Sequence, residues 1–310
     1  MKLQELLYKV NILKIVGNTN IDIHDIQFDS RKIKHKGLFI AIKGTVSDGH
    51  EYIESVINDG ALAIVVEKIP LELNKKITYI KVVNSYNALG VLAANFYKNP
   101  SEKLKLIGVT GTNGKTTTVN LLYQLFTVLK KKTGMLSTIE NKILNEVIPS
   151  THTTPDPLKI NLLLSQMIEK GCEYCFMEVS SHALSQGRVN GLCFAGAVFT
   201  NITRDHLDYH NTFSNYRDVK KSFFDSLDKE AFALVNKDDK NGMYMTQNTS
   251  SKVFTYGLKT YADYKTKILE SSLEGMLLKI NENEFWSFIL KTNSSLFDFI
   301  IFITSELRSL

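Results

Sequence analysis

Residues 108–118 read GVTGTNGKTTT, and they follow the short apolar run Leu104–Ile107. Three of the chain's 17 glycines fall around one lysine and a run of threonines. The spacing G-x-x-G-K-T lets Gly111 and Gly114 turn the backbone tightly and present successive N–H groups to an anion. Lys115 is then placed to reach the outer phosphates of a nucleotide, and Thr116 to offer a hydroxyl oxygen to Mg²⁺. The residues before the loop are β-rich, as in a buried parallel strand. After it Val119, Leu121, Leu122, Leu125, Phe126 and Leu129 recur at helical spacing. Strand, phosphate loop and helix in that order predict a nucleotide phosphate site, against the plainer alternative of a glycine turn between two core elements.

A chain of 310 residues has room for two domains. The segments 38–42, 62–67 and 77–83 read as strands, with helix-like stretches at 51–61 and 88–99, and predict a small α/β domain over residues 1–98. Asn99-Pro100 marks its end, because proline disfavours helix in the residue before it. Strands at 104–109, 173–179, 195–200, 231–235 and 252–256, with helices at 116–131, 157–170 and 213–227, predict a larger α/β domain over 99–286 with a mainly parallel sheet. The net charge of +5 suits anionic small molecules and shows no basic stripe that would argue for nucleic acid. The amino terminus has neither signal-peptide nor membrane-span character. Three cysteines, an odd number, fit a reducing compartment, so the expected location is the cytoplasm. Cys172 and Cys175 have the C-x-x-C spacing, but no second such pair exists and the segment runs straight into an apolar strand. Buried structural thiols are the expectation there.

Several polar segments follow predicted strands, where an open parallel sheet places its chemistry. Glu178 ends the strand of MEVSSHAL and is a natural Mg²⁺ ligand beside a phosphate site, or else a surface carboxylate; Ser180, Gln186 and Arg188 follow it. In TNITRDHLDYH, His206 and His210 have the spacing of a zinc pair but lack the glutamate of H-E-x-x-H, which argues against zinc hydrolysis. His206 alone is a candidate for metal or phosphate, with a structural histidine as the alternative. In STHTTPDPL the prolines restrict the backbone, so Thr153 and Thr154 are expected to be presented to a ligand, unless they cap the next helix. Lys220 and Lys221 are adjacent on a helix and diverge by about 100°, so they cannot both face one site. The spacing does not choose between them.

Taken together, GVTGTNGKTTT, THTTPDPL, MEVSSHAL, FTNITRDHLDYH and YRDVKKSFFDSL, with DSRKIKHKGLFIAIKGTVSDGHEYI near the start, resemble the Mur ligases. Within them the motifs are most similar to the UDP-N-acetylmuramoyl-tripeptide synthetases, and the likeness covers roughly residues 20–285. The resemblance implies that Gly111, Thr112, Asn113, Gly114, Lys115, Thr116 and Thr117 bind ATP, with Asn201 near the nucleotide. It implies that Ser30, Thr45, Val46 and Ser47 belong to a UDP-binding part. Thr153, Thr154, Ser180, Gln186 and Arg188 correspond to contacts with the UDP-muramoyl-dipeptide. Thr116, Glu178 and His206 correspond to ligands of two Mg²⁺ ions, and Lys220 to a carbamylated lysine that also binds metal, which resolves the tie with Lys221. Catalysis would then rest on Lys115, Glu178, His206 and Lys220. Val219 departs from a common alanine, and the loop at 45–47 has its own side chains.

The implied reaction is ATP-dependent amide formation. It would add a diamino acid to UDP-MurNAc-L-Ala-D-Glu through an acyl phosphate, in a monomer that engages no nucleic acid or membrane. Another ligase of the superfamily, such as a folylpolyglutamate synthetase, competes with this reading, and the DSR and VSSHAL stretches speak against it. A non-catalytic nucleotide-sugar binder is the other alternative. The family's C-terminal Rossmann-like domain, with its D-N-P-R type motif, has no counterpart in the sequence, so diaminopimelate and lysine use are not distinguished. After Trp286 the sequence changes to a tail rich in Phe, Ile, Leu and Ser. Residues 287–310 are accordingly expected to be a truncation or frameshift product, against the alternative of a genuine final strand capping a shortened sheet.

Overall fold

The computed structural model describes residues 1–44, 47–271, 276–280 and 283–287. The chain divides into two compact units. The first contains residues 1–103 together with 155–166 and 185–192, and the second contains 104–154, 167–184 and 193–310. The first unit therefore takes two segments from far along the chain, which no linear boundary near residue 98 describes.

In the first unit the elements are α1 (Leu3–Leu6), β1 (Ile12–Val16), β2 (Asp25–Gln27), β3 (Gly37–Ile40), α2 (Ile53–Asn58), β4 (Ala61–Val66), β5 (Thr78–Val82) and α3 (Ser85–Phe96). Among the described residues its sheet has the order β1-β5-β4-β3-β2, parallel except for β1. Strands β3, β4 and β5 are almost wholly buried, as parallel strands covered on both faces must be. One side of the sheet packs Leu38, Ile40, Val65 and Ile80 against Leu89 and Leu92 of α3, and the other packs Phe39, Ile64 and Tyr79 with Val56 of α2. The Asn84 side chain caps α3 by accepting from the Asn87 N–H, the local signal that starts this helix.

The second unit is built on β6 (Lys105–Thr110), α4 (Lys115–Val128), β7 (Thr133–Leu136), β8 (Glu140–Ile143) and β9 (Glu146–Pro149). Helix α5 (Pro157–Glu169) is followed by β10 (Tyr174–Glu178), α6 (Ser181–Ser185), β11 (Gly196–Phe199), α7 (Leu207–His210) and α8 (Phe213–Asp225). The last described elements are β12 (Phe232–Asn236), α9 (Gly242–Met245), β13 (Lys252–Gly257), β14 (Tyr264–Ser271), β15 (Met276–Ile280) and β16 (Asn283–Ser287). The described sheet runs β16-β15-β14-β13-β12-β11-β6-β10-β7-β8-β9. Its centre, from β7 to β14, is parallel, and antiparallel strands extend it at both ends.

The strands and helices expected from periodicity in this unit are found to within a few residues. Strand β7, the hairpin β8–β9, the strands β14–β16 and the short helices α6, α7 and α9 were not foreseen. Residues 288–310 of the expected atypical tail lie outside the described residues. Cys172 and Cys175 are buried thiols, as expected, and burial pushes the Cys175 thiol well above its ordinary pKa. Among the described residues no helix is long and apolar enough to cross a membrane.

Candidate functional site

Strand order explains why the polar segments meet. β6 lies between β10 and β11, with Glu178 in register with Val109 and Phe199 in register with Thr110. The C-terminal ends of three neighbouring strands thus deliver the 111–117 loop, Glu178 and the 200–206 segment to one edge of the second unit.

The loop is fixed by close backbone packing. Gly111 has φ +152°, and a Cβ there would lie 1.9 Å from Thr200 Oγ1, so no side chain fits. Gly114, at φ +88°, opens α4 from the left-handed region. Asn201 clamps the loop from the side: its backbone carbonyl accepts from the Thr112 N–H, its Oδ1 accepts from the Asn113 N–H, and its Nδ2 donates to the Asn113 carbonyl at 3.0 Å. The Thr112 hydroxyl lies 3.0 Å from the Tyr216 hydroxyl and accepts from the Thr203 N–H. Thr116 and Thr117 stand in the first turn of α4. The Lys115 ammonium folds back onto the carbonyls of Gly111 and Thr112, both at 2.9 Å. Its burial pushes its pKa below the ordinary lysine range, while Glu178 and Asp205 oppose the shift.

Glu178 is only 1% exposed, which settles the choice left open by sequence: it is not a surface carboxylate. Its Oε2 accepts from the Thr116 hydroxyl at 3.0 Å, and its Oε1 accepts from the Thr138 N–H at 2.8 Å. A carboxylate and a threonine hydroxyl are hard oxygen donors, the kind that suits Mg²⁺. Three histidines gather beside this edge: the His182 ring sits 4.9 Å from His206 and 5.7 Å from His210. His206 occupies the left-handed residue before α7, and its Nε2 is 3.5 Å from the Asp205 carboxylate. His210 is buried, and burial, followed by the positive neighbours His182, Lys220 and His206, lowers its pKa. The pair therefore does not share an exposed helix face. Among the described residues no cluster of His, Cys, Asp and Glu has the arrangement of a metal centre.

The two lysines of α8 diverge as their spacing requires. Lys220 is 1% exposed and its amine donates to the Gly111 carbonyl at 3.1 Å, beneath the phosphate loop. Lys221 points away and pairs with both oxygens of Asp225 at 2.7 Å. Burial holds Lys220 well below the ordinary lysine pKa, Lys115 adds to the shift, and Asp205 opposes it. The Tyr216 ring lies 4.7 Å from the amine and favours its cation, but desolvation dominates.

Thr153 and Thr154 differ from the expectation that both are presented. Thr153 is half-buried, whereas Thr154 is 1% exposed; its hydroxyl donates to the Glu178 carbonyl at 2.7 Å and accepts from the Ser180 N–H at 3.1 Å. Thr154 fastens the strand end to its own loop because three polar groups there need partners in a buried position. Ser180 is half-buried, and its hydroxyl accepts from the Ala183 N–H, bracing α6.

In the first unit Ser30 and Ser47 line a cavity of about 480 Å³ together with Phe28, Arg31, Phe39 and Tyr52. Thr45 and Val46 lie outside the described residues. Gln186 and Arg188 belong to this unit, with Arg188 Nε donating to Gln186 Oε1 at 2.9 Å. Sequence reasoning passed over Thr112 as a hydrogen-bond hub with Tyr216 as its hydroxyl partner, and it passed over Thr138, for which the sequence holds no signal.

The chain matches the Mur ligase family catalytic domain over residues 22–97 and the Mur ligase middle domain over residues 109–294. It is 52% identical, over 296 residues, to the UDP-N-acetylmuramoyl-L-alanyl-D-glutamate--2,6-diaminopimelate ligase of Bacteroides fragilis, covering 95% of this chain and 61% of that protein. The protein of the same description from Cytophaga hutchinsonii is 51% identical over 287 residues, 92% of this chain and 59% of its own length. A solved structure of a UDP-N-acetylmuramoyl-L-alanyl-D-glutamate--2,6-diaminopimelate ligase superposes with a TM-score of 0.83 at 26% identity, covering all of this chain and 64% of the other. The chain thus spans about three fifths of the length of these relatives.

Proposed function

The chain belongs to the Mur ligase family, and we propose that it supplies the precursor-binding and ATP-binding units of a ligase that extends UDP-MurNAc-L-Ala-D-Glu with a diamino acid. The observation that carries this reading is the convergence of Lys115, Glu178 and the buried Lys220 amine on one phosphate loop. The relatives at 51–52% identity are named for 2,6-diaminopimelate, which makes that diamino acid our choice of acceptor over lysine.

ATP would lie along the 111–117 backbone with its phosphates at the N-terminus of α4, where N–H groups and the helix dipole favour anions. Lys115 would leave the Gly111 and Thr112 carbonyls for the outer phosphates. The γ-phosphoryl group passes to the D-glutamyl γ-carboxylate, giving an acyl phosphate and ADP. An amine of the diamino acid then attacks the acyl carbon, loses a proton, and releases phosphate as the amide forms. Positioning and charge neutralisation do most of the work in such a transfer.

Thr116 and Glu178, with His206 toward a second ion, would hold Mg²⁺, which supplies positive charge to the transferring phosphoryl group. Lys220 as an amine is no ligand for a hard cation. Its burial favours the neutral form that reacts with CO₂, and the resulting carbamate would present anionic oxygens instead. On the first unit the cavity bearing Ser30 and Ser47 would take the uridine end of the precursor, with Arg188 and Gln186 of the same unit serving the muramoyl peptide. The working location is the cytoplasm, as a monomer, where ATP and UDP-linked precursors are at hand.

Isothermal calorimetry of the 310-residue chain with ADP and Mg²⁺, and separately with UDP-MurNAc-L-Ala-D-Glu, tests the reading. Binding of both supports it. A folded chain with no affinity for either refutes it.

A further inference from the structure

Thr138 lies just beyond β7 and makes three contacts, two of them to the strand-end carboxylate. Its N–H donates to Glu178 Oε1 at 2.8 Å, while its hydroxyl lies 3.2 Å from Glu178 Oε2 and 3.1 Å from Thr153 Oγ1. A hydroxyl has one proton to give. Thr138 is the donor in both hydroxyl contacts, so its one proton serves one acceptor at a time, and the carboxylate is the stronger of the two. The Thr138 proton therefore goes to Glu178 Oε2, with Thr153 Oγ1 as the competing acceptor.

Glu178 Oε2 also accepts from Thr116. A cation taken between that oxygen and Thr116 Oγ1 needs lone pairs from both, so the Thr116 proton must turn away. The two Thr138 bonds then remain as the donors that fix the plane of the carboxylate, and hydrogen-bonded partners of this kind set the orientation of ligating groups.

We propose that Thr138 is a positioning residue: it orients Glu178 for a divalent cation through its N–H and its hydroxyl. The proposal rests on reading Glu178 as a metal ligand. Its hydroxyl half is open to substitution without touching the N–H half. Thr138→Val keeps shape and backbone but loses the proton donor, and Thr138→Ser restores it.

The test is Mn²⁺ binding to the 310-residue chain in the presence of ADP, followed by the electron paramagnetic resonance of free Mn²⁺, with thermal unfolding measured alongside. Thr138→Val should bind Mn²⁺ about tenfold more weakly, within the range for loss of a partner to a ligating group, with Thr138→Ser close to the parent. Thr138→Ala removes the same hydroxyl and replaces the valine variant should that one not fold. A Thr138→Val/Thr153→Val pair should be no weaker than Thr138→Val alone, because Thr153 meets Thr138 only as a competing acceptor of its proton. Unchanged binding in Thr138→Val, while Glu178→Gln loses it, overturns the positioning role. Additive losses in the pair overturn the reading of Thr153 as a mere competing acceptor. Full binding in Glu178→Gln, or none in the parent chain, overturns the metal-site reading and this inference with it.

Discussion

Lys220 makes the folded state sensitive to alkaline pH in a way that a single substitution can isolate. Its amine is 1% exposed, and burial with Lys115 nearby holds its pKa well below the ordinary 10.5. The unfolded chain therefore binds a proton at this lysine over a pH range where the native chain does not. Stability rises with pH wherever the unfolded state holds more protons, so this group's contribution is complete above pH 10.5 and is lost as pH falls toward the depressed native pKa. One proton sets the steepest possible slope, about 1.4 kcal/mol per pH unit. Lys115 shifts in the same direction, so the parent curve alone is ambiguous. Lys220→Met removes one of the two contributions while keeping a long apolar side chain in the site. Urea unfolding followed by circular dichroism, in CO₂-free buffer from pH 7 to 10.5, should show the parent gaining on the variant as pH rises. Adding bicarbonate should change the parent's curve more than that of Lys220→Met, which keeps Lys115 but has lost the Lys220 amine that would form the carbamate. Parallel curves for the two proteins, with and without bicarbonate, would refute the argument from burial.

Gly111→Ala should lose most ADP affinity in equilibrium dialysis, since its Cβ would sit 1.9 Å from Thr200 Oγ1 and the loop must move; unchanged affinity would show that the loop is not the phosphate site. Lys115→Ala, placed in an otherwise full-length context, should lower ATP-dependent ligation by roughly 10²–10³-fold, the usual loss for one preorganised donor to developing charge. Lys221→Met breaks a largely buried pair with Asp225 and should cost about 1–2 kcal/mol in urea unfolding, discounted for the partial exposure of Asp225, with ADP affinity intact. In a thiol titration of the native chain Cys193 should react first, while Cys172 and Cys175 wait for unfolding; rapid reaction of all three would contradict their burial.

What the sequence determined by itself is local or periodic. Gly111, Gly114 and Lys115 write the phosphate loop because each demands its own backbone or reach at a fixed spacing, and the helix after it carries a 3.6-residue apolar repeat. Strands β3 to β6 and β10 to β13 are legible as short buried apolar runs. Strand β1 has an exposed middle and only five residues, so alternation there is weak, and the β8–β9 hairpin lacks the paired turn signals that announce one. The folded chain alone decides which distant segments become neighbours. Placing β6 between β10 and β11 sets Glu178 beside Thr116, and the pitch of α8 over the loop turns Lys220 inward and Lys221 toward Asp225. Thr154 is sealed by a hydrogen bond to Glu178 rather than offered to a ligand, and residues 155–166 and 185–192 join the first unit across many intervening residues. Thr138 carried no motif at all. Its place follows from strand register, a pairing between residues 40 positions apart that neither segment encodes alone.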